Sequence, residues 1–171
     1  MKQALIVLSA LILLLTLNKG NNEKELIIPN DSIRLRVIAS SNDEIDIKQK
    51  QELKSYLESE LMKLTKSIET KEEVDRIIVE NIEVINNKIS EFLGHNNFKV
   101  DYGLNYFPPK TYKGVVYEAG IYDSLVVTLG DGLGKNWWCT LFPPLCLLED
   151  NTTTNNVEYK LFISSIIDKY K

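Results

Sequence analysis

The chain has 171 residues, 44% of them apolar, and a formal net charge of −4. That length and apolar content suit one domain with a real core plus a terminal extension. Without Lys2 and Lys19 the balance is 18 basic against 24 acidic residues, or −6, and so acidic a body argues against a nucleic-acid partner, which needs a basic face.

An apolar run from Ala4 to Leu17 follows Lys2 and is interrupted only by Ser9 and Thr16. A positive start and a short apolar stretch read as a secretory signal. The run is shorter than the about 20 residues a membrane span needs. It lacks an Ala-x-Ala-like cleavage site, so residues 1–20 read as a signal peptide or an uncleaved signal anchor. In the second case residues 4–17 contact the membrane. Residues 21–32 form a linker, residues 33–148 a single domain working outside the cytoplasm, and residues 149–171 a polar linker with a helical tail.

Residues 33–39, IRLRVIA, predict a strand with Ile33, Leu35 and Val37 on one face and Arg34 and Arg36 on the other. The arginines read as a solvated face, or as anchors for acidic residues or a partner. Ser41 with Glu44 fits a capping box, and a helix to about Lys66 follows, with Leu53, Leu57, Leu61, Leu64 and Ile68 as its apolar stripe. Asp43 and Asp46 suit the start of that helix and make a poor metal site without further oxygen ligands. Thr70 with Glu73 is a second box. The second helix carries Val74, Ile78, Ile82, Ile85, Ile89 and Phe92 and stops at Gly94. The two helices form an antiparallel pair.

Strands are expected over Phe98–Tyr106, Val115–Tyr117 and Tyr122–Leu129, with Pro108-Pro109 as a break and residues 118–121 as a turn. Tyr102, Tyr106, Tyr112, Tyr117 and Tyr122 are placed along one half-buried face. A last helix runs from Val157 to Tyr170, with Leu161, Ile163, Ile166 and Ile167 apolar. The fold class is α+β: a two-helix layer on a small antiparallel sheet, with the first strand beside a later one.

Between the last strand and the tail lie residues 130–146, GDGLGKNWWCTLFPPLC, which hold both tryptophans and both cysteines. Glycines that permit unusual backbone angles and prolines that restrict them mark a defined loop. It reads as a packed corner, or as a surface that a partner recognises. Trp137 and Trp138 should point to opposite faces. It is not a phosphate loop: three residues, not four, separate Gly130 from Gly134, and Asn136 follows Lys135. Cys139 and Cys146 read as a disulfide in an exported protein, with two buried thiols as the alternative. His95 is the one histidine and sits in a loop, so no Ser-His-Asp, Cys-His or zinc arrangement is expected. No cofactor is expected either.

Residues 136–146, NWWCTLFPPLC, resemble the hallmark segment of the stage II sporulation protein R family. IRLRVIA with Ser41-Asn-Asp43, the stretch Asp46 and Lys48–Lys54, AGIY at 119–122 and LGDGLGKN at 129–136 are also similar to that family. The resemblance implies a non-catalytic signal made in the forespore and exported into the space between its two membranes. There it would activate a membrane-embedded aspartic protease of the mother cell, stage II sporulation protein GA, which processes the precursor of sigma factor E. Asn136, Trp137, Trp138, Phe142, Pro143 and Pro144 are the expected partner-binding residues, with Arg34 and Arg36 as a second patch. The rival readings are an exported hydrolase acting on cell-wall material, and a structural envelope protein.

Overall fold

The computed structural model describes residues 26–65, 67–145 and 155–170. The apolar segment 4–17, the far end of the first helix at Lys66, Cys146 and the polar linker lie outside the described residues. Among the described residues are seven strands in two sheets and four helices: β1 (Leu26–Ile27), β2 (Ile33–Ile38), α1 (Glu44–Thr65), α2 (Lys71–Glu80), α3 (Ile82–Leu93), β3 (Phe98–Phe107), β4 (Lys110–Tyr112), β5 (Val115–Tyr117), β6 (Gly120–Leu129), β7 (Asn136–Phe142) and α4 (Asn156–Lys169). No described helix is long and apolar enough to cross a membrane.

The main sheet has the order β3-β6-β2-β7. It is mixed, and this corrects the expectation of an antiparallel sheet: β2 runs parallel to β6, while β3–β6 and β2–β7 are antiparallel. The helices that follow β2 carry the chain across the sheet, so the hairpin of β3 and β6 returns with β6 alongside β2 in the same direction. A second sheet, β1-β5-β4, is small, and sequence reasoning did not separate it from the first.

Alternation decides the layers. Ile33, Leu35 and Val37 of β2 are fully buried under the helices with Leu53, Leu57 and Leu61 of α1, Val74 and Ile78 of α2, and Ile85 and Ile89 of α3. The expected second helix is broken at Asn81. Its side-chain Nδ2 donates to the Ile77 carbonyl at 2.8 Å, and its backbone leaves helical geometry at φ −107°, ψ 9°. A side chain competing for the helix's own carbonyls explains the break. Thr70 caps α2 through the Glu73 amide as expected. Ser41 instead accepts from the Asp43 amide at 3.0 Å, two residues on, so the first capping box is not formed. Gly94 ends α3 in the left-handed region, at φ 70°. Phe92 is 41% exposed and stacks on Tyr56 at 4.4 Å, outside the core.

The tail helix belongs to a second core. Tyr159, Ile163, Ile166 and Ile167 of α4 pack with Ile28, Val115 and Leu145 against the small sheet. Leu161, expected on the apolar face, is 67% exposed. Tyr170 touches both cores, its ring 5.5 Å from that of Phe142.

The tyrosines do not share one face. Tyr102 turns to the helices, where its hydroxyl donates to Asp75 at 2.7 Å. Tyr122 pairs with Asn105 and so lies on the opposite face. Burial, and then the Asp75 carboxylate, push the Tyr102 phenol well above its ordinary range. The folded state therefore holds this proton more tightly than the unfolded chain. The contribution is complete below about pH 10 and is lost as pH rises through the folded value, so stability falls with rising pH there. In an alkaline titration followed by phenolate absorbance, one tyrosine should ionise only as the protein unfolds. Tyr102→Phe should remove that step. Its persistence in the variant would refute the assignment.

Candidate partner-binding site

Residues 130–142 are a turn followed by an edge strand, which corrects the reading of one defined loop over 130–146. Residues 130–135 carry the chain from β6 to β7 past the exit of β2. There the Leu133 amide donates to the Ser40 carbonyl and the Gly134 amide to the Ala39 carbonyl, both at 2.9 Å, and the Lys135 amide to Asn42 Oδ1 at 3.0 Å. Lys50 of α1 is buried and donates from Nζ to the Lys135 carbonyl at 3.1 Å. Burial, then the Lys135 charge, push its pKa down. The glycine run thus serves a crossing of backbones. The aromatic, β-branched and apolar residues after it supply strand propensity.

β7 is an outer strand of the main sheet. The two tryptophans do face opposite ways. Trp137 packs against the helix-side core, with Lys54 Nζ 5.1 Å from its ring. Trp138 lies on the other face, its ring 5.1 Å from that of Phe107 at the end of β3.

That other face holds the arginines, and neither forms a solvated surface. Arg34 is only 3% exposed; its guanidinium lies 4.4 Å from the Tyr122 ring and 5.3 Å from the Tyr117 ring. Arg36 is partly buried, 5.2 Å from Phe107 and 5.3 Å from Trp138. Tyr117 reaches over from the second sheet. The result is a layer in which two cations alternate with four aromatic rings, each cation held by ring quadrupoles. Burial lowers the pKa of both arginines; for Arg34 the neighbouring tyrosines partly offset this. Guanidinium remains charged under ordinary conditions.

Among the described residues, Nε and Nη2 of Arg34 and Nε of Arg36 are buried without a hydrogen-bond partner. Beside them opens a cavity of about 360 Å³, bounded by Arg34, Trp137, Trp138, Phe107, Tyr117 and Tyr159, with Lys54, Lys110 and Glu118 among its charged residues. Of the expected partner-binding residues, Arg34, Arg36 and Trp138 come together in the cation–aromatic layer, and Arg34, Trp137 and Trp138 line the cavity. Asn136 is exposed at the start of β7, opposite Ile38. Phe142 and Pro143 are buried and Pro144 is partly buried, so the first two belong to the packing and not to an open surface. Cys139 is buried. Phe107, Tyr117, Lys54 and Lys110 escaped sequence reasoning because they come from four other elements or their ends. Only the Pro108-Pro109 break beside Phe107 hinted at a special position.

His95 lies in an exposed turn, where its Nδ1 accepts from the Asn97 amide at 3.2 Å. No cluster of three metal-ligating side chains is found among the described residues.

The family model described as stage II sporulation protein R matches residues 29–152. The chain belongs to that family. The match spans β2, the glycine turn, β7 and the cation–aromatic layer, and ends before α4. A curated relative, stage II sporulation protein R of Bacillus subtilis (strain 168), is 38% identical over 138 residues, which cover 78% of this chain. The chain spans 61% of that relative's length. No solved structure matches.

Proposed function

We propose that this protein is an exported, non-catalytic sporulation signal. In this reading it enters the space between forespore and mother cell and there activates the membrane-embedded aspartic protease, stage II sporulation protein GA, which processes the precursor of sigma factor E. Residues 1–20 direct export, and a bridge between Cys139 and Cys146 holds the end of β7 in that compartment. The contact is made through the edge strand β7, with Trp138 and Arg36 at its centre and Asn136 at its rim. Family membership supports the signalling role. The one structural observation that carries the choice of surface is the placement of both tryptophans on an outer strand beside a cavity, since aromatic and arginine side chains are the usual anchors of recognition.

Co-expression of the full chain with the protease and the sigma precursor tests this. The unaltered chain should trigger processing. Trp138→Ala, checked for a cooperative melt, should reduce it by on the order of tenfold or more, the effect of losing one anchor of about 2 kcal/mol. Unchanged processing by the variant would remove this surface from the proposal, and no processing by the unaltered chain would remove the signalling role itself.

A further inference from the structure

We infer that the cavity beside β7 is a carboxylate-recognition site, built to take an acidic side chain of an extended peptide flanked by apolar residues. Three observations converge on that ligand.

The first is Arg34. Nε and Nη2 form one edge of the guanidinium, so their N–H bonds point in parallel. Both are buried and neither has a partner among the described residues. Buried polar groups are nearly always paired, and an unpaired buried cation is costly. The rings of Tyr117 and Tyr122 stabilise its positive charge, and Tyr122 also hydrogen-bonds to it, but Nε and Nη2 are left without an acceptor. Two parallel donors at fixed spacing match the two oxygens of a carboxylate.

The second is the charge of the surroundings. Lys54 and Lys110 stand at the cavity with Glu118 as the acid among its lining residues, a positive balance in a protein whose net charge is −4. The aromatic walls suit the apolar neighbours of a single planar acid better than a doubly charged phosphate, which would need more donors than this fork offers.

The third is the strand edge. Trp137, Trp138 and Cys139 of β7 bound the same cavity, and β7 ends the sheet on that side. An extended peptide can pair with such an edge while one of its side chains enters a pocket. Since the Arg34 fork is shielded from solvent, the entering carboxylate displaces the Tyr117 ring, which lines the cavity where Tyr122 does not.

Both tryptophans of the chain bound this cavity, so their fluorescence reports on binding directly. The full chain is titrated with a capped pentapeptide carrying one central glutamate between leucines, with its glutamine counterpart and with its phosphoserine counterpart. The glutamate peptide should shift the tryptophan emission and bind on the order of thirtyfold more tightly than the glutamine peptide, as expected when one partner of a buried charge pair is lost. Arg34→Met should abolish that preference while melting at or above the temperature of the unaltered chain, because it removes an unpaired buried charge. Equal binding of the two peptides, tighter binding of the phosphoserine peptide, or no binding at all would overturn the assignment. So would an Arg34→Met variant that keeps the preference. If Arg34→Met fails to fold, the comparison of the two peptides on the unaltered chain still decides. The readout involves no protease, so it can fail while the signalling role stands, and the reverse.

Discussion

Gly134→Ala is expected to cost about 3 kcal/mol or more, enough to leave much of the chain unfolded at moderate temperature. A Cβ there would fall on the Ser41 carbonyl oxygen, 2.6 Å from its carbon and 2.7 Å from the Ala39 Cβ. The opposing atoms are mainly backbone, held by the pairing of Ala39 and Ser40 with the turn, so neither side can yield without opening the crossing between β6 and β7. Gly103→Ala is the control. No atom lies within 4 Å of a Cβ at that position, and alanine in a strand is favoured over glycine by about 0.5 kcal/mol or more. Urea denaturation should show a large fall in midpoint for the first variant and none for the second. Equal midpoints would show that the turn does not depend on close backbone approach.

Leu125→Ala should cost about 2–5 kcal/mol. Leu125 is fully buried at the centre of β6, opposite Tyr102 of β3 and Leu35 of β2, in the core under the helices. Three strands and the helix layer close around it, so the cavity left by alanine has little room to collapse. Leu125→Met, nearly equal in volume, should cost less than about 1.5 kcal/mol. The measurement is the urea midpoint at constant slope. A loss below about 1 kcal/mol for the alanine variant would mean that the layers close around the gap.

Legibility followed the range of the interaction. Helix α1, the apolar positions of α2 and α3, the Gly94 stop and the strands β2, β3, β5 and β6 follow from periodicity and capping, which act between residues a few positions apart. The opposite facing of Trp137 and Trp138 was readable for the same reason. The break at Asn81 is not legible because the apolar stripe is unbroken across the one polar side chain that competes for carbonyls. β7 reads as loop in the sequence because its flanking glycines and prolines mask a strand-forming centre.

The site was legible in part. Arg34, Arg36 and Trp138 stand out by residue type, and the family's hallmark segment coincides with β7. Their environment was not legible. Alternation put the arginines opposite the core residues but could not show that Tyr117, Phe107 and Tyr122 would cover that second face.

By itself the sequence determined the α+β class, the helical stretches though not the break at Asn81, the apolar face of β2 and the family. Only the tertiary structure decided that β2 lies between a parallel and an antiparallel neighbour, that the tail helix builds a second core, and that Arg34 is buried with a fork unpaired among the described residues. The physical reason is separation along the chain. Arg34 meets rings about 80 to 90 residues away, and such a contact exists only once the crossover has set strand order, which no local pattern of residues encodes.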